Sequence, residues 1–379
     1  MTRSNFDVLI CGGGVIGLSI AYLSAKSGMS VALCDQASIG RESSWAGAGI
    51  LPPPLSKNID DPIDQLRNMS HRLHGVWAAD LLQQTTIDNG FRQCGGIYVA
   101  STPGEIATLR ANEQWWLDHG IDFERLSKDE LRQMEPNLAT ETALGSVAWH
   151  LPAECQIRNP RHLKALRAAC ELLGVRFFEN VKPTQFEFDN QKFTAAHLDG
   201  NKISAAHFCF AAGAWSRALI EPFGIKLEVF PVRGQMVLYH ARDVLLKRII
   251  NDGNRYLVPR DDGRILLGSS EEEVGFAKNT TEPILDDLCQ WATRWLPKLQ
   301  STTVEQSWAG LRPGAIDGMP YIGRIPGFEN GYVATGHFRH GLHLSTGTAK
   351  IICCMIRGET LPMNIEPFRV VRGNTSSSR

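Results

Sequence analysis

The chain has 379 residues, 43% of them hydrophobic, which is enough for one large domain or two ordinary ones with buried cores. Its 39 lysine and arginine residues against 40 aspartate and glutamate residues leave a net charge of -1, which argues against the basic surface typical of nucleic-acid binding. No apolar stretch reaches the roughly 18 residues of a membrane span, and the nine cysteines contain no CxxC pair, so we expect a cytoplasmic protein with reduced thiols.

The N-terminal segment is predicted to form a βαβ unit. Residues 6–11 are an apolar run typical of a buried parallel strand, and a helix and a second strand follow. Gly12, Gly14 and Gly17 lie between the first strand and the helix, with the G-x-G-x-x-G spacing that lets backbone approach a pyrophosphate. Asp35 ends the second strand, where an acidic side chain can accept from a ribose hydroxyl. The segment predicts a dinucleotide site, either for NAD or for FAD.

The segment after the second strand distinguishes these two cofactors. In "RESSWAGAGI" (41–50), Ser43 and Ser44 can bond phosphate oxygens, and Ala48 and Gly49 allow close backbone approach. Such a segment favours an extended cofactor, although an ordinary turn is the alternative.

The rest of the chain alternates less simply between helix and strand. Asn159 is the expected N-cap of a strong helix that Gly174 ends. Antiparallel strands after residue 226 predict an α/β fold in which a Rossmann-type domain is interleaved with an antiparallel-sheet substrate domain. Predicted helices cover 62–89, 104–119, 159–174, 283–296 and 341–356, and predicted strands lie at 95–101, 175–180, within 184–211, and at 227–239, 255–260 and 264–270.

The predicted domains are discontinuous along the chain. The cofactor domain is expected to comprise 1–85, 150–225 and 306–370, and the substrate domain 86–149 and 226–305, with a disordered tail at 371–379.

Eight motifs in order resemble the FAD-dependent amino acid oxidases of the D-amino acid oxidase type, in particular the glycine oxidases. They are "ICGGGVIGLSIAYLSAKSG", "SSWAGAGIL", "QIRNPRHLKAL", "FAAGAWS", "PVRGQM", "YLVPR", "WAGLRPGAIDGMPYIG" and "GHFRHGLHLSTGT". The resemblance implies a glutathione-reductase-like FAD-binding domain. Residues 308–314 contain no cysteine, so FAD is expected to be bound noncovalently.

The resemblance also implies residues for the two sites. Arg312 corresponds to the arginine that binds the substrate carboxylate, Tyr256 to a tyrosine that contacts substrate, and Arg339 to an arginine near the flavin; a surface salt bridge and a sheet aromatic are the alternatives for the first two. The implied cofactor contacts are Gly12, Gly14, Val15, Ile16, Gly17, Asp35, Gln36, Ser43, Ser44, Ala48, Gly49, Ile50, Val181, Gly213, His337, Phe338, Arg339, His340, Gly341 and Leu342.

Two residues depart from the glycine oxidase pattern and are pocket candidates. Asn254 stands where some family members carry histidine, and Glu271 where an apolar residue is more usual. Glu271 either faces the pocket or, as we slightly favour, belongs with Glu272 and Glu273 to a hydrated acidic loop.

The histidines of "TGHFRHGLHLSTG" (335–347) raise the alternative of a metal site. No acidic or cysteine ligand lies beside His337, His340 and His343, so we expect no metal and interpret these side chains as local packing and solvation. In the family, the last helix directs its N-terminus at the flavin in this segment.

The implied activity is oxidative deamination of glycine or another small amino acid. The amine becomes an imine by hydride transfer to the flavin, O2 is reduced to H2O2, and the imine is hydrolysed to the oxo acid and ammonia. The family implies a link to thiamine biosynthesis and a homotetramer. The alternatives are a D-amino acid or sarcosine oxidase, a quinone-reducing D-amino acid dehydrogenase and a non-catalytic flavin-binding subunit.

Overall fold

The computed structural model describes residues 5–100, 102–139 and 147–372, so most of the expected disordered tail lies outside the described residues. The helices are α1 (Val15–Lys26), α2 (Ser43–Ala46), α3 (Pro62–Thr85), α4 (Pro103–His119), α5 (Lys128–Met134), α6 (Asn159–Leu172), α7 (Ser216–Ile220), α8 (Glu282–Trp295) and α9 (Gly341–Arg357).

The strands complete the chain order. They are β1 (Asn5–Cys11), β2 (Val31–Cys34), β3 (Ile50–Leu51), β4 (Arg92–Gln93), β5 (Gly96–Ala100), β6 (Glu124–Leu126), β7 (Val147–Leu151), β8 (Cys155–Gln156), β9 (Arg176–Phe178), β10 (Pro183–Asp189), β11 (Lys192–Leu198), β12 (Asn201–Phe210), β13 (Val229–His240), β14 (Ile249–Asp252), β15 (Arg255–Pro259), β16 (Arg264–Gly268), β17 (Thr303–Ala315), β18 (Tyr321–Arg324) and β19 (Gly331–Thr335).

The first sheet has a parallel centre. Its order is β10-β11-β12-β1-β2-β9, with β19 also paired to β12 and β18 to β19. β1 runs parallel to both of its neighbours, with Ile10 opposite Leu33 on one side and Cys209 on the other. Because both faces are covered, the apolar run of β1 is buried, and α1 packs between this sheet, α6 and α9.

The second sheet is mostly antiparallel and has the order β17-β13-β16-β15-β14-β5-β7-β6. Its long β13–β17 pair runs from Val229 opposite Ala315 to His240 opposite Thr303. Helix α8 packs on this sheet, and Trp291 donates from its indole nitrogen to the carboxylate of Asp252 (2.8 Å). A small sheet in the order β3-β8-β4 completes the strands.

These two sheets confirm the predicted α/β fold, with a Rossmann-type sheet interleaved with an antiparallel one. The cysteines are free thiols and most are buried, as expected. In the described part of the chain, no helix is both long and apolar enough to cross a membrane.

Two local predictions were wrong. The helix predicted over 62–89 ends at Thr85, because Thr86 takes a left-handed conformation (φ 60°) and closes the last turn. Asn159 is the first helical residue of α6 rather than its cap: Arg158 stands at the N-cap, and no side chain caps the helix. The division of the chain into two domains stays a prediction; residue 306, where it places one boundary, lies within β17, which pairs along its length with β13 of the second sheet.

Candidate cofactor and substrate site

A cavity of about 480 Å³ lies between the two main sheets. At one end it is lined by Asp35 and Gln36, which follow β2 of the first sheet. At the other end it is lined by Tyr256 and Arg312, which lie on strands of the second sheet. The position fits the rule that α/β sheets bind ligands at the carboxyl ends of their parallel strands.

The glycine turn after β1 is required by close backbone contacts. Gly12 has φ +115°, and a Cβ there would lie 2.3 Å from the carbonyl oxygen of Ala211. A Cβ at Gly17 would lie 1.9 Å from the carbonyl oxygen of Gly12. Gly14 is the N-cap of α1 and makes no side-chain cap, and the first helical turn carries no acidic residue. The helix N-terminus therefore offers positive potential to a phosphate-bearing ligand.

Asp35 stabilises this turn while still lining the cavity. Its carboxylate accepts from the backbone N–H of Gly13 (2.7 Å) and from that of Ala37 (2.8 Å). Burial raises the pKa of the carboxyl, although both backbone hydrogen bonds oppose the shift. Each carboxylate oxygen retains a second lone pair, so Asp35 can also accept from a bound ribose.

The α2 segment and Asn159 form a second wall of the cavity, which contains one unpaired hydrogen-bond acceptor. Ser44 Oγ accepts from the N–H of Val15 (2.9 Å), and the Asn159 amide donates to the carbonyl of Ser44 (2.7 Å). Asn159 Oδ1 is buried without a hydrogen-bond partner, although Asn159 lines the cavity. An unpaired buried acceptor is costly, so a ligand donor is expected to satisfy it. Together with the glycine turn and Asp35, these groups fit FAD.

The segment before α9 closes the cavity. His337, Phe338, Arg339 and His340 line it, and α9 begins at Gly341. Phe338 has φ +47°, an uncommon conformation for a non-glycine residue. The start of the last helix therefore faces the cavity, as the resemblance implied.

The histidines of this segment are packed rather than solvated, which corrects part of their interpretation. His337 and His343 are only 3% and 4% exposed, and His337 bonds the Thr348 hydroxyl (3.1 Å). Burial lowers the pKa of His337 to about 3 and that of His340 to about 4, so these rings are neutral at neutral pH. Among the described residues, no group of three or more His, Cys, Asp or Glu side chains could hold a metal ion.

A row of residues across the second sheet forms the substrate end. Tyr98 on β5 lies opposite Asn251 on β14, which lies opposite Tyr256 on β15. Tyr256 in turn is paired with Gly268, and Gly268 with Met236. Directly paired residues point to the same sheet face, which explains why these side chains line one cavity. Of the residues in this row, only Tyr256 was predicted from the sequence.

Arg312 reaches the cavity from β17 over a glycine. A Cβ at Gly234 would lie 2.1 Å from a terminal nitrogen of Arg312, so the guanidinium occupies the space that this glycine leaves. Arg312 donates to the hydroxyl of Ser269 (2.8 Å) and to the carbonyl of Ser270 (3.1 Å). Burial lowers the pKa of Arg312, and no carboxylate forms an ion pair with it among the described residues. The remaining N–H groups can bind an anionic ligand.

Arg339 forms hydrogen bonds with Asn254 and Glu271, the two residues that depart from the glycine oxidase pattern. Its guanidinium donates to the carbonyl oxygen of Asn254 (3.1 Å) and to the carboxylate of Glu271 (3.1 Å). Glu272, by contrast, pairs with the buried Arg233 (2.6 Å). Glu271 and Glu273 are exposed, in line with the favoured interpretation of an acidic loop, whereas Glu272 is half-buried in its ion pair with Arg233. Glu271 is not among the residues that line the cavity, and its side chain, paired with Arg339, is 43% exposed.

The structure brings most of the expected site residues to this one cavity. Gly17 and Val181 lie behind it: Gly17 packs against the glycine turn, and the Val181 N–H donates to the carbonyl of Asp35. Lining residues that were missed include Glu42, Tyr98, Asn159, Lys182, Trp215, Met236 and Asn251. A lone tyrosine or asparagine on a strand carries no local signal, whereas a glycine motif does.

Known proteins with similar sequences and structures span nearly the whole chain. A family model described as "DAO: FAD dependent oxidoreductase" matches residues 7–355. Glycine oxidase of Pseudomonas putida is 34% identical over 96% of this chain and 97% of its own length. Glycine oxidase of Pseudomonas aeruginosa is 31% identical over 95% of this chain and 97% of its own length. The crystal structure of glycine oxidase from Geobacillus kaustophilus superposes with a TM-score of 0.92 at 29% identity, covering 98% of this chain and all of that one.

Proposed function

The chain belongs to the DAO family of FAD-dependent oxidoreductases, and from this premise we propose that it oxidises glycine or another small amino acid. The products are the oxo acid, ammonia and H2O2, formed from the amino acid, O2 and water. The observation that carries the proposal is Arg312, a half-buried guanidinium at the substrate end of the cavity, which forms no ion pair with a carboxylate in the described part of the chain. Relatives named glycine oxidase support glycine as the first substrate to test.

Arg312 binds and orients the substrate carboxylate. Two of its N–H groups are held by Ser269 and Ser270, which fixes the plane of the guanidinium and leaves further donors for two carboxylate oxygens. Tyr256, next to Arg312 in the cavity, contributes a hydroxyl that interacts with the Arg312 guanidinium and reaches the sulfur of Met236 (3.5 Å). The two groups hold the amino acid in one orientation, which lowers the entropic part of the barrier.

The cavity also prepares the amino group. Burial favours the neutral form of an amine over the ammonium form, and the neutral amine is the form that can be oxidised. Bound FAD supplies the acceptor for the two electrons removed from the substrate. Its proposed contacts are the glycine turn, Asp35, the Ser43–Ser44 pair and the start of α9.

The proposal also includes noncovalent FAD binding, the division into two domains, a homotetramer, a cytoplasmic location and a link to thiamine biosynthesis. For the division, sheet membership favours assigning all of β17 to the substrate domain.

The test is an amine panel with the purified FAD-loaded protein. We expect glycine, sarcosine or D-alanine to bleach the flavin anaerobically, and oxygen uptake to match H2O2 formation in air. Bleaching without oxygen uptake would instead indicate a dehydrogenase, and no bleaching with any amine would indicate a non-catalytic flavin-binding subunit. After acid precipitation, the yellow colour should appear in the supernatant.

A further inference from the structure

A buried carboxylate lies behind the substrate end of the cavity. Glu154 follows β7 and is fully buried, with 0% of its surface exposed. A Cβ at Gly96 would lie 2.2 Å from Glu154 Oε1, so the carboxylate occupies space that this glycine leaves open. A buried acid usually has a cationic partner, yet none of the described residues forms an ion pair with Glu154.

Among the described residues, the Glu154 carboxylate is hydrogen-bonded only to side chains of the cavity wall. Tyr98 donates its hydroxyl to Glu154 Oε2 (2.5 Å), and the Asn251 amide donates to Oε1 (2.9 Å). Both Tyr98 and Asn251 line the cavity and are partly exposed to it. Glu154 thus acts on the cavity through two side chains that a substrate can touch.

We propose that Glu154 sets the hydrogen-bonding direction of this wall, so that Tyr98 accepts a hydrogen bond from the amino group of the substrate. The inference rests on the proposed function, because Arg312 supplies donors for the carboxylate and the amino group is the other polar group of glycine. Glu154 is a positioning residue, since it meets the substrate only through Tyr98 and Asn251.

The direction follows from counting protons. While Glu154 is ionised, it accepts the hydroxyl hydrogen of Tyr98, and the Tyr98 oxygen has only lone pairs left for the cavity. When Glu154 is protonated, its own O–H donates to the Tyr98 oxygen, and the Tyr98 hydrogen turns toward the cavity. Protonation of Glu154 therefore converts the Tyr98 hydroxyl from an acceptor to a donor toward the cavity. A donor at this position repels an ammonium or amine N–H.

The burial of Glu154 makes this change accessible near neutral pH. Burial raises the pKa of Glu154 to about 7, opposed by the bonds from Tyr98 and Asn251. Tyr98, Cys94 and Cys155 are the titratable groups facing it, and burial raises the pKa of each. These three groups stay protonated through the neutral range, so the titration belongs to Glu154.

The experiment compares glycine with acetate, which carries the carboxylate without the amino group. In the wild type, we expect KM for glycine to fall as pH rises through about 7, while the inhibition constant of acetate lacks that step. Glu154→Gln should remove the step, and Glu124→Gln, an exposed acid of the same sheet, should retain it. Tyr98→Phe should raise KM for glycine about 3- to 10-fold and leave acetate binding unchanged.

Several outcomes would overturn the inference. A step near pH 7 that persists in Glu154→Gln would do so, as would Tyr98→Phe weakening acetate and glycine equally. If Glu154→Gln fails to retain FAD, Tyr98→Phe becomes the deciding variant. In that variant, the change in KM for glycine near pH 7 must disappear. If the wild type oxidises no amino acid, the proposed function fails, and flavin absorbance changes on adding glycine or acetate test the wall by the same comparison.

Discussion

The cavity is lined by chain neighbours at the β1–α1 turn and by residues of separate strands at the second sheet. The turn places Gly12, Gly14, Val15 and Ile16 on the cavity within a few residues of one another. The substrate end instead takes residues from β5, β13, β14, β15 and β17, and pairs them by strand register.

This difference teaches where each end is vulnerable. The turn depends on backbone conformation, so a single added methyl group is expected to be harmful. The sheet end depends on which side chains are in register, so its residues can change identity without breaking the fold. Substrate choice is therefore expected to vary more readily among relatives than cofactor choice.

The largest expected effect is at the glycine turn. Gly12→Ala places a Cβ 2.3 Å from a carbonyl oxygen at φ +115°. We expect a loss of about 3 kcal/mol or more in FAD affinity or folding, because backbone strain adds to the overlap. FAD content and thermal unfolding measure it. Gly213→Ala is the matched control, since it lines the same cavity at φ +54° with no atom within 4 Å. Equal effects of the two changes would contradict the argument.

Arg312→Ala tests the other end. We expect retained FAD and a loss in kcat/KM of about 30- to 4,000-fold, since truncating a buried charged partner costs about 2–5 kcal/mol. Arg312→Lys should recover only part of this loss, because a point charge replaces a planar fork. Steady-state kinetics with glycine measure both variants. Near-normal turnover of Arg312→Ala would place the carboxylate anchor elsewhere.

Acid should loosen the cofactor side before the substrate side. Burial lowers the pKa of His74 to about 4 and of His162 and His337 to about 3, whereas the unfolded value is 6.5. The unfolded chain then binds more protons below pH 6.5, so the stability present above that pH is lost as pH falls. At pH 5, each of these histidines lowers the free energy of unfolding by about 2 kcal/mol.

Hydrogen exchange of the FAD-saturated protein at pH 7.5 and 5.5, corrected for intrinsic rates, measures this difference. We expect α3, α6 and α9, which carry these histidines or pack on them, to lose protection before β13–β17 does. His240→Gln, at an exposed histidine, serves as the control variant and should not change the pattern. Uniform loss of protection across both sheets would count against the prediction.

The smallest effect is expected at the Glu271–Arg339 ion pair beside the cavity. Glu271→Gln breaks a partly exposed ion pair with Arg339, which is worth about 0–1 kcal/mol. We expect kcat/KM for glycine to change by less than about fivefold, with the difference shrinking at high salt. A change as large as that of Arg312→Ala would show that Glu271 holds substrate rather than only Arg339.

The amino-acid sequence by itself determined the βαβ unit, the cofactor class and most of the residues that line the cavity at the β1–α1 turn. These features are local: the spacing of Gly12, Gly14 and Gly17 and the small residues of "SSWAGAG" state a backbone requirement within one stretch of chain. Arg312 and Tyr256 could be named only through the resemblance of their motifs.

Only the tertiary structure decided the rest of the substrate end. Tyr98, Asn251 and Glu154 come from three distant segments, and strand register and loop packing bring them together. Likewise, Glu272 is half-buried against Arg233 while Glu271 stays exposed beside Arg339, and both arginines lie far away in the chain. The burial and ion pairing of each glutamate are set by the packed fold, so they cannot be predicted from the local sequence "EEE".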